Sequence, residues 1–130
     1  MKIFVQITDN KLAALLKTFG YDVERYAESI RYRDLEERLN QDDLVFWSQI
    51  PPHGFMGSKA AVILMTDMTT DAEEYAAAKA GARAYIPGEV PEHVLKHVIE
   101  SVAKGETWIT RHTIARMFDE YAKSMENKDS

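Results

Sequence analysis

The sequence contains no cysteine among its 130 residues. Disulfides, thiolate metal sites and cysteine nucleophiles are therefore excluded. It also has no apolar run near the roughly 18 residues that suggest a membrane-spanning helix, and its first residues lack the apolar stretch of a signal peptide. The net charge of −5 argues against direct wrapping of nucleic acid, because protein surfaces that do so are usually basic. We expect a cytoplasmic domain with no membrane contact.

The sequence does contain enough apolar material for one folded domain. Hydrophobic residues make up 45% of the chain and charged residues 28%, as in ordinary soluble domains. No repeat or low-complexity segment divides it. We expect one domain over residues 1–124, followed by a polar tail over residues 125–130. That tail is either the start of a linker to a DNA-binding domain outside this chain or the end of a stand-alone module.

Strand patterns and helix patterns alternate along the sequence. Apolar runs predict five strands, at residues 2–8, 21–26, 43–50, 60–66 and 83–87. Helical segments are predicted to end at Gly20, Leu39, Gly81 and Gly105, with a weakly signalled turn at residues 55–58 and a sixth helix at about residues 110–124. A strand that repeatedly feeds a helix indicates an α/β fold with a parallel sheet. We predict a five-stranded, doubly wound parallel sheet of CheY-like or flavodoxin-like order 2-1-3-4-5, with an additional C-terminal sixth helix.

Several side chains in these helices have specific expected places. Pro91 suits the first position of the helix that follows the fifth strand. Thr70 and Glu73 have the spacing of a capping box at the start of the alanine-rich helix. In the charged second helix, Ile30 and Leu35 are expected to face the core.

In doubly wound sheets, ligands bind outside the carboxyl ends of the strands. The chain places there Thr8, Asp9, Ser48, Thr66, Pro87 and Gly88. Four segments in and around the strands, at residues 43–45 (DLV), 62–66 (VILMT), 81–85 (GARAY) and 105–108 (GETW), resemble receiver domains of bacterial response regulators. The resemblance is to the receivers that are joined to LuxR/FixJ-type DNA-binding domains, and it covers about residues 2–111.

The resemblance implies a degenerate phosphorylation pocket. A working receiver has two acidic residues after its first strand, an aspartate after the third, a hydroxyl after the fourth and a lysine after the fifth. The carboxylates hold magnesium, and the ion and the lysine neutralise the phosphoryl group. At the corresponding positions, with the aromatic of the fifth strand, this chain has Thr8, Asp9, Ser48, Thr66, Tyr85 and Gly88. Because serine cannot form an acyl phosphate and Asp9 alone is a poor magnesium site, we expect no metal, no catalytic residue and no enzymatic activity.

The start of the last helix carries a further resemblance. Residues 4–16 (FVQITDNKLAALL) and the helix after residue 111 resemble the VpsT- and CsgD-type biofilm-matrix regulators, which have degenerate receivers and an added helix. In the VpsT branch, a motif of Trp, Phe/Leu/Met, Thr/Ser and Arg binds cyclic di-GMP. This chain has Trp108, Ile109, Thr110 and Arg111, which depart from the motif at Ile109. The resemblance implies cyclic di-GMP as a regulatory ligand and no other cofactor.

The residue types suit that ligand. An arginine can stack on guanine or pair with phosphate, and a helix N-terminus favours a phosphate group. The alternative is that Trp108 packs on the domain, Thr110 is an ordinary N-cap, and nothing binds.

Other candidate sites are weaker. Met117, Phe118 and Tyr121 form an apolar stripe that must fold back or meet a partner, and we expect a homodimer contact there. His93 and His97 have a spacing that can chelate a metal, but no third ligand is evident, and a solvated helix edge is the simpler interpretation.

The combined prediction is a phosphorylation-independent regulatory and dimerisation domain of a LuxR-type transcriptional regulator. It would be switched by a shift between monomer and dimer, and would reach DNA only through a separate domain. The alternative is a stand-alone interaction adaptor with no ligand. A flavin-type electron carrier is disfavoured, because residues 8–11 lack the Thr/Ser/Gly-rich composition of a flavin phosphate loop.

Overall fold

The computed structural model describes residues 1–6, 10–27, 29–55 and 57–128. Its elements, in chain order, are β1 (Lys2–Gln6), α1 (Asn10–Thr18), β2 (Asp22–Tyr26), α2 (Tyr32–Glu36), β3 (Leu44–Trp47), β4 (Ala61–Thr66), α3 (Asp71–Lys79), β5 (Ala84–Pro87), α4 (Glu92–Ala103) and α5 (Arg111–Lys128). In this part of the chain, no helix is both long and apolar enough to cross a membrane.

The five strands form one parallel sheet in the order β2-β1-β3-β4-β5. This confirms the predicted fold class and strand order. The strands β3 and β4 lie inside the sheet and are apolar along almost their whole length, as expected for strands that are covered on both faces. The edge strand β2 is more polar and only partly buried.

Two hydrophobic cores lie on opposite faces of the sheet. Successive side chains of a strand point to opposite faces, so Leu44 and Phe46 join one core while Val45 and Trp47 join the other. The first core is closed by α1 and α4, and the second by α2, α3 and Phe55. This arrangement leaves the last helix, α5, outside both cores, against α3.

The connection between β3 and β4 differs from the predicted alternation, in which a helix follows each of the five strands. Within residues 48–55 and 57–60 no helix forms, so the predicted sixth helix is α5, the fifth in chain order. Gly54 has a φ of +66°, and a Cβ atom there would lie 3.0 Å from the carbonyl oxygen of Ala80. The next backbone N–H, of Phe55, donates to that same oxygen at 2.6 Å. This connection is therefore tied directly to the end of α3.

The second helix is shorter than predicted. The sequence pattern predicts a helix over residues 29–39, whereas α2 has only five residues. Leu35 is buried as expected, but Ile30 is half-buried, and Tyr32 takes the larger place in the core. The Tyr32 ring makes edge contacts with Trp47 and Phe55 at centroid distances of 5.1 and 5.0 Å.

The starts of α3 and α4 test the predicted helix signals. The Thr70 side chain accepts a hydrogen bond from the Glu73 backbone N–H at 3.1 Å, which confirms this half of the capping box. The Glu73 side chain does not complete the box, because it binds Tyr85 instead. Pro91 has an extended ψ of 148° and is the N-cap of α4, so its predicted placement as the first helical residue was wrong by one position.

The last helix is longer than predicted. It continues to Lys128, past the expected end at residue 124 and through most of the predicted polar tail. It packs on α3, where the Arg116 guanidinium lies 3.8 Å from the centre of the Tyr75 ring. An ion pair of 3.5 Å joins Lys79 to Glu120.

Candidate functional site

The carboxyl ends of β1 and β3 are joined by side-chain hydrogen bonds. Ser48, which follows β3, donates from its backbone N–H and its Oγ to Oε1 of Gln6, at 3.2 and 2.9 Å. Gln6 is buried at the end of β1, and the sequence analysis did not select it. Its only signal was an amide at the end of an otherwise apolar strand. Thr8 and Asp9, the predicted remnant of the acidic pair, lie outside the described residues.

The ends of β4 and β5 lie side by side at the same edge of the sheet. The Thr66 carbonyl oxygen accepts a hydrogen bond from the Gly88 backbone N–H at 2.8 Å. A Cβ atom on Gly88 would lie 3.7 Å from that oxygen and 3.9 Å from Oδ1 of Asp67, which are ordinary contacts. A side chain would therefore fit at position 88, so the backbone geometry does not require a glycine there.

Tyr85, the aromatic residue of β5, is held against α3. Its hydroxyl donates to Oε1 of Glu73 at 2.7 Å and accepts from the backbone N–H of Thr70 at 3.0 Å. Burial, followed by the hydrogen bond to the Glu73 carboxylate, raises the pKa of this phenol above its ordinary value. The tyrosine thus serves as a neutral link between β5 and the first turn of α3.

The described part of this edge offers hydroxyl and amide groups and has no metal-binding cluster. No group of three or more histidine or acidic side chains able to hold a metal ion occurs in the described ranges. The His97 ring packs edge-on against the Trp108 ring, with 5.3 Å between the ring centroids. Ser48 and Thr66 are half-buried alcohols at strand ends.

The segment before α5 covers the edge of the sheet. Trp108 forms a single parallel bridge with Ala84, and its backbone N–H donates to the Arg83 carbonyl oxygen at 2.8 Å. Trp108 packs on the α4 side of the sheet, and Ile109 packs on the α3 side. These two residues of the predicted nucleotide motif therefore anchor the segment across the exposed edge of β5.

The start of α5 is bound to a buried carboxylate that the sequence analysis missed. Glu74 of α3 is 6% exposed and accepts hydrogen bonds from Oγ1 of Thr110 at 2.5 Å and from its backbone N–H at 3.4 Å. It also accepts a short hydrogen bond from Oγ1 of Thr113. We call these three residues the Glu74 cluster. An acidic residue in a polar helix gives no local signal that it will be buried by a segment 36 residues later.

The predicted dimer contact lies on an open apolar surface. Phe118 is 70% exposed and Tyr121 is 66% exposed, whereas Met117 is half-buried. Between this stripe and the sheet edge lies a groove of about 560 Å³, which is lined by Ala78, Ala82, Thr107, Ile109, Ile114, Met117, Phe118 and Tyr121. Arg111 is exposed at the start of the same helix. We call this surface the α5 groove.

Comparisons with known proteins bear on the fold. No protein-family model matches the sequence, and no curated protein matches it. The structure is similar to a protein from Burkholderia pseudomallei described as pilus assembly-related, with 16% sequence identity, a TM-score of 0.59, and coverage of 85% of this chain and 94% of that one. It is also similar to the response regulator StyR, with 20% identity, a TM-score of 0.53, and coverage of 97% of this chain and 67% of that one. The chain has a receiver-like fold.

Proposed function

We propose that this chain is a regulatory module with a receiver-like fold that works without phosphoryl transfer. The observation that carries the proposal is the hydrogen bonding of Ser48, the residue that follows β3. Its two hydrogen-bond donors are both directed to the Gln6 side chain. In the receivers that the sequence resembles, this position holds the carboxylate that accepts the phosphoryl group.

The chemistry of a phosphoryl relay supports this conclusion. An acyl phosphate forms only on a carboxylate, and the transfer needs positive charge at the leaving and accepting oxygens. At the end of β5, Gly88 brings no amine, although the backbone there would accept a side chain. The sheet edge thus keeps the hydroxyl of Thr66 without an acceptor carboxylate at Ser48.

Intact-protein mass spectrometry tests this proposal. After incubation with acetyl phosphate and magnesium, the mass of the protein should stay unchanged, because neither Ser48 nor Thr66 can form an acyl phosphate. A phosphorylatable receiver domain in the same mixture serves as the positive control. A gain of one phosphoryl group by this chain, released by hydroxylamine as acyl phosphates are, would contradict the proposal.

Regulation would then act through contact, and the α5 groove is the surface we assign to it. Large exposed aromatic side chains beside an apolar groove are typical of protein interaction sites. A second copy of the chain is the proposed partner, since each copy offers both the projecting stripe of Phe118 and Tyr121 and the groove beside it. A two-fold dimer requires such a self-complementary surface. Binding to DNA would depend on a separate domain.

Sedimentation over a concentration series tests the dimer. We expect concentration-dependent self-association of the wild type, weakened at least about tenfold in the double variant Phe118→Ser/Tyr121→Ser, because buried aromatics dominate interface energies. The matched control, Asp119→Ser/Lys123→Ser, changes two exposed residues of the same helix and keeps the net charge. A wild type that stays monomeric, or a dimer that survives the aromatic double variant, would contradict the assignment.

Cyclic di-GMP stays a prediction from the resemblance, and the proposed function is stated without it. The hydroxyl and the backbone N–H of Thr110 already face the Glu74 carboxylate. A phosphate at the start of α5 would meet this negative charge at close range. Arg111 is exposed and carries the only charged side chain among the four motif residues.

Titration calorimetry decides the ligand question. If the nucleotide binds, we expect micromolar affinity that is lost in Arg111→Ala, because the guanidinium would supply both the stacking and the phosphate contacts. Lys123→Ala removes the same charge elsewhere on α5 and should bind as the wild type does. No heat at high nucleotide concentration would contradict the ligand prediction and favour the adaptor that acts without a ligand.

A further inference from the structure

We infer that the Glu74 cluster is a conformational device that fixes the position of α5 and thereby keeps the α5 groove in its present shape. None of the three residues of the cluster lines the groove. Their effect on it would pass through the helix that forms one of its walls. The effect on partner binding rests on the proposed function of the groove, whereas the effect on the mobility of α5 does not.

The contacts of the cluster all go to the buried Glu74 carboxylate; the one from Thr113 is buried, and those from Thr110 are partly buried. The Glu74 carboxylate accepts hydrogen bonds from the hydroxyl groups of Thr110 and Thr113 and a longer one from the Thr110 backbone N–H. Hydrogen bonds to a charged group away from solvent are stronger than those between neutral groups. The carboxylate also lies at the N-terminal end of α5, where the helix dipole favours a negative charge. A side chain of α3 therefore caps the first turn of α5.

The other contacts between α5 and the rest of the domain are made by exposed or half-buried side chains. Among the side chains of residues 111–126, only that of Thr113 is fully buried. The ion pair between Lys79 and Glu120 lies at the surface, where such pairs contribute little. Ile114 and Met117 are half-buried along the groove. Release of the Glu74 cluster would leave the helix with these weaker contacts, so it could swing away from α3.

The same turn of α3 holds the fifth strand. Glu73, next to Glu74, accepts the hydrogen bond of the Tyr85 hydroxyl. Thr70 at the start of that turn donates its backbone N–H to the same hydroxyl. A displacement of this turn would therefore shift β5 and α5 together. This gives the module a mechanical connection from the sheet edge to the α5 groove that needs no phosphoryl group.

Hydrogen exchange of the full chain tests whether the Glu74 cluster holds α5 in place. In Glu74→Gln, which removes the charge, and in Thr113→Val, which removes one buried donor with little change of shape, backbone amides of residues 114–122 should exchange about tenfold faster or more. The matched control is Glu92→Gln, which makes the same chemical change at an exposed residue in the first turn of α4. Its α5 amides should exchange as in the wild type, while amides of β1 and β3 should stay protected in all three variants and so report an intact fold.

Unchanged exchange of α5 in both Glu74→Gln and Thr113→Val would overturn the inference. Sedimentation of the same variants then tests the connection to partner binding, with weaker self-association expected whenever α5 is loosened. If α5 loosens and self-association persists, the device stands, and the assignment of the dimer to the α5 groove fails.

Discussion

Replacement of Phe55 by alanine is expected to lower the free energy of unfolding by about 3–5 kcal/mol. Phe55 is 2% exposed and lies in the connection between β3 and β4, whose described residues form no helix. Its ring packs edge-on against Tyr32, and its backbone N–H binds the end of α3. Truncation would leave a cavity beside the Tyr32 ring. A loss of that size is a large part of the roughly 5–15 kcal/mol that stabilises a typical domain.

Chemical denaturation followed by tryptophan fluorescence, to which the buried Trp47 and the half-buried Trp108 both contribute, measures this loss. Met68→Ala is a suitable control, because Met68 is 76% exposed in the loop after β4 and its truncation should change the stability by no more than about 0.5 kcal/mol. A loss below about 1 kcal/mol for Phe55→Ala would mean that the connection is not packed as described.

The second large effect is a loss of stability between pH 10 and pH 12. Burial raises the pKa of Tyr32 from 10.0 to about 12, with the hydrogen bond to Ser58 acting in the opposite direction and the nearby Glu36 charge adding to the rise. The unfolded chain therefore releases this proton first as the pH rises. Stability from this group is complete below pH 10 and is lost progressively up to about pH 12. A shift of this size corresponds to about 2–3 kcal/mol.

Comparison of the wild type with Tyr32→Phe isolates this contribution. Burial also raises the pKa values of Tyr21, Tyr26 and Tyr85, so both proteins should lose stability in alkali. The wild type should lose about 2–3 kcal/mol more than the variant between pH 9 and pH 12, measured by denaturant unfolding at each pH. Equal losses in the two proteins would show that Tyr32 titrates as an exposed tyrosine does.

The parallel sheet could be predicted because its signals are local. The apolar runs at residues 43–50 and 60–66 contain β3 and β4, and the order of strands follows from repeated strand–helix alternation. The Thr70 cap of α3 was also confirmed, because an N-cap involves only four neighbouring residues.

The predicted helix between β3 and β4 and the length of α2 were wrong for a common reason. Each segment contributes a buried aromatic ring to the core, Phe55 and Tyr32, and these two rings contact each other across 23 positions of the chain. Periodicity within one segment cannot report such a contact.

In the candidate sites too, some features follow from single residues and others only from tertiary contacts. Residue identities alone were enough to show that Ser48 cannot act as a carboxylate and that Gly88 brings no amine. The tertiary structure was needed to find Gln6 beside Ser48 and Glu74 beneath Thr110, because each pair joins segments that are distant in the chain. The sequence alone states the chemical type of each residue, whereas the partner of a buried polar group depends on how the helices pack on the sheet.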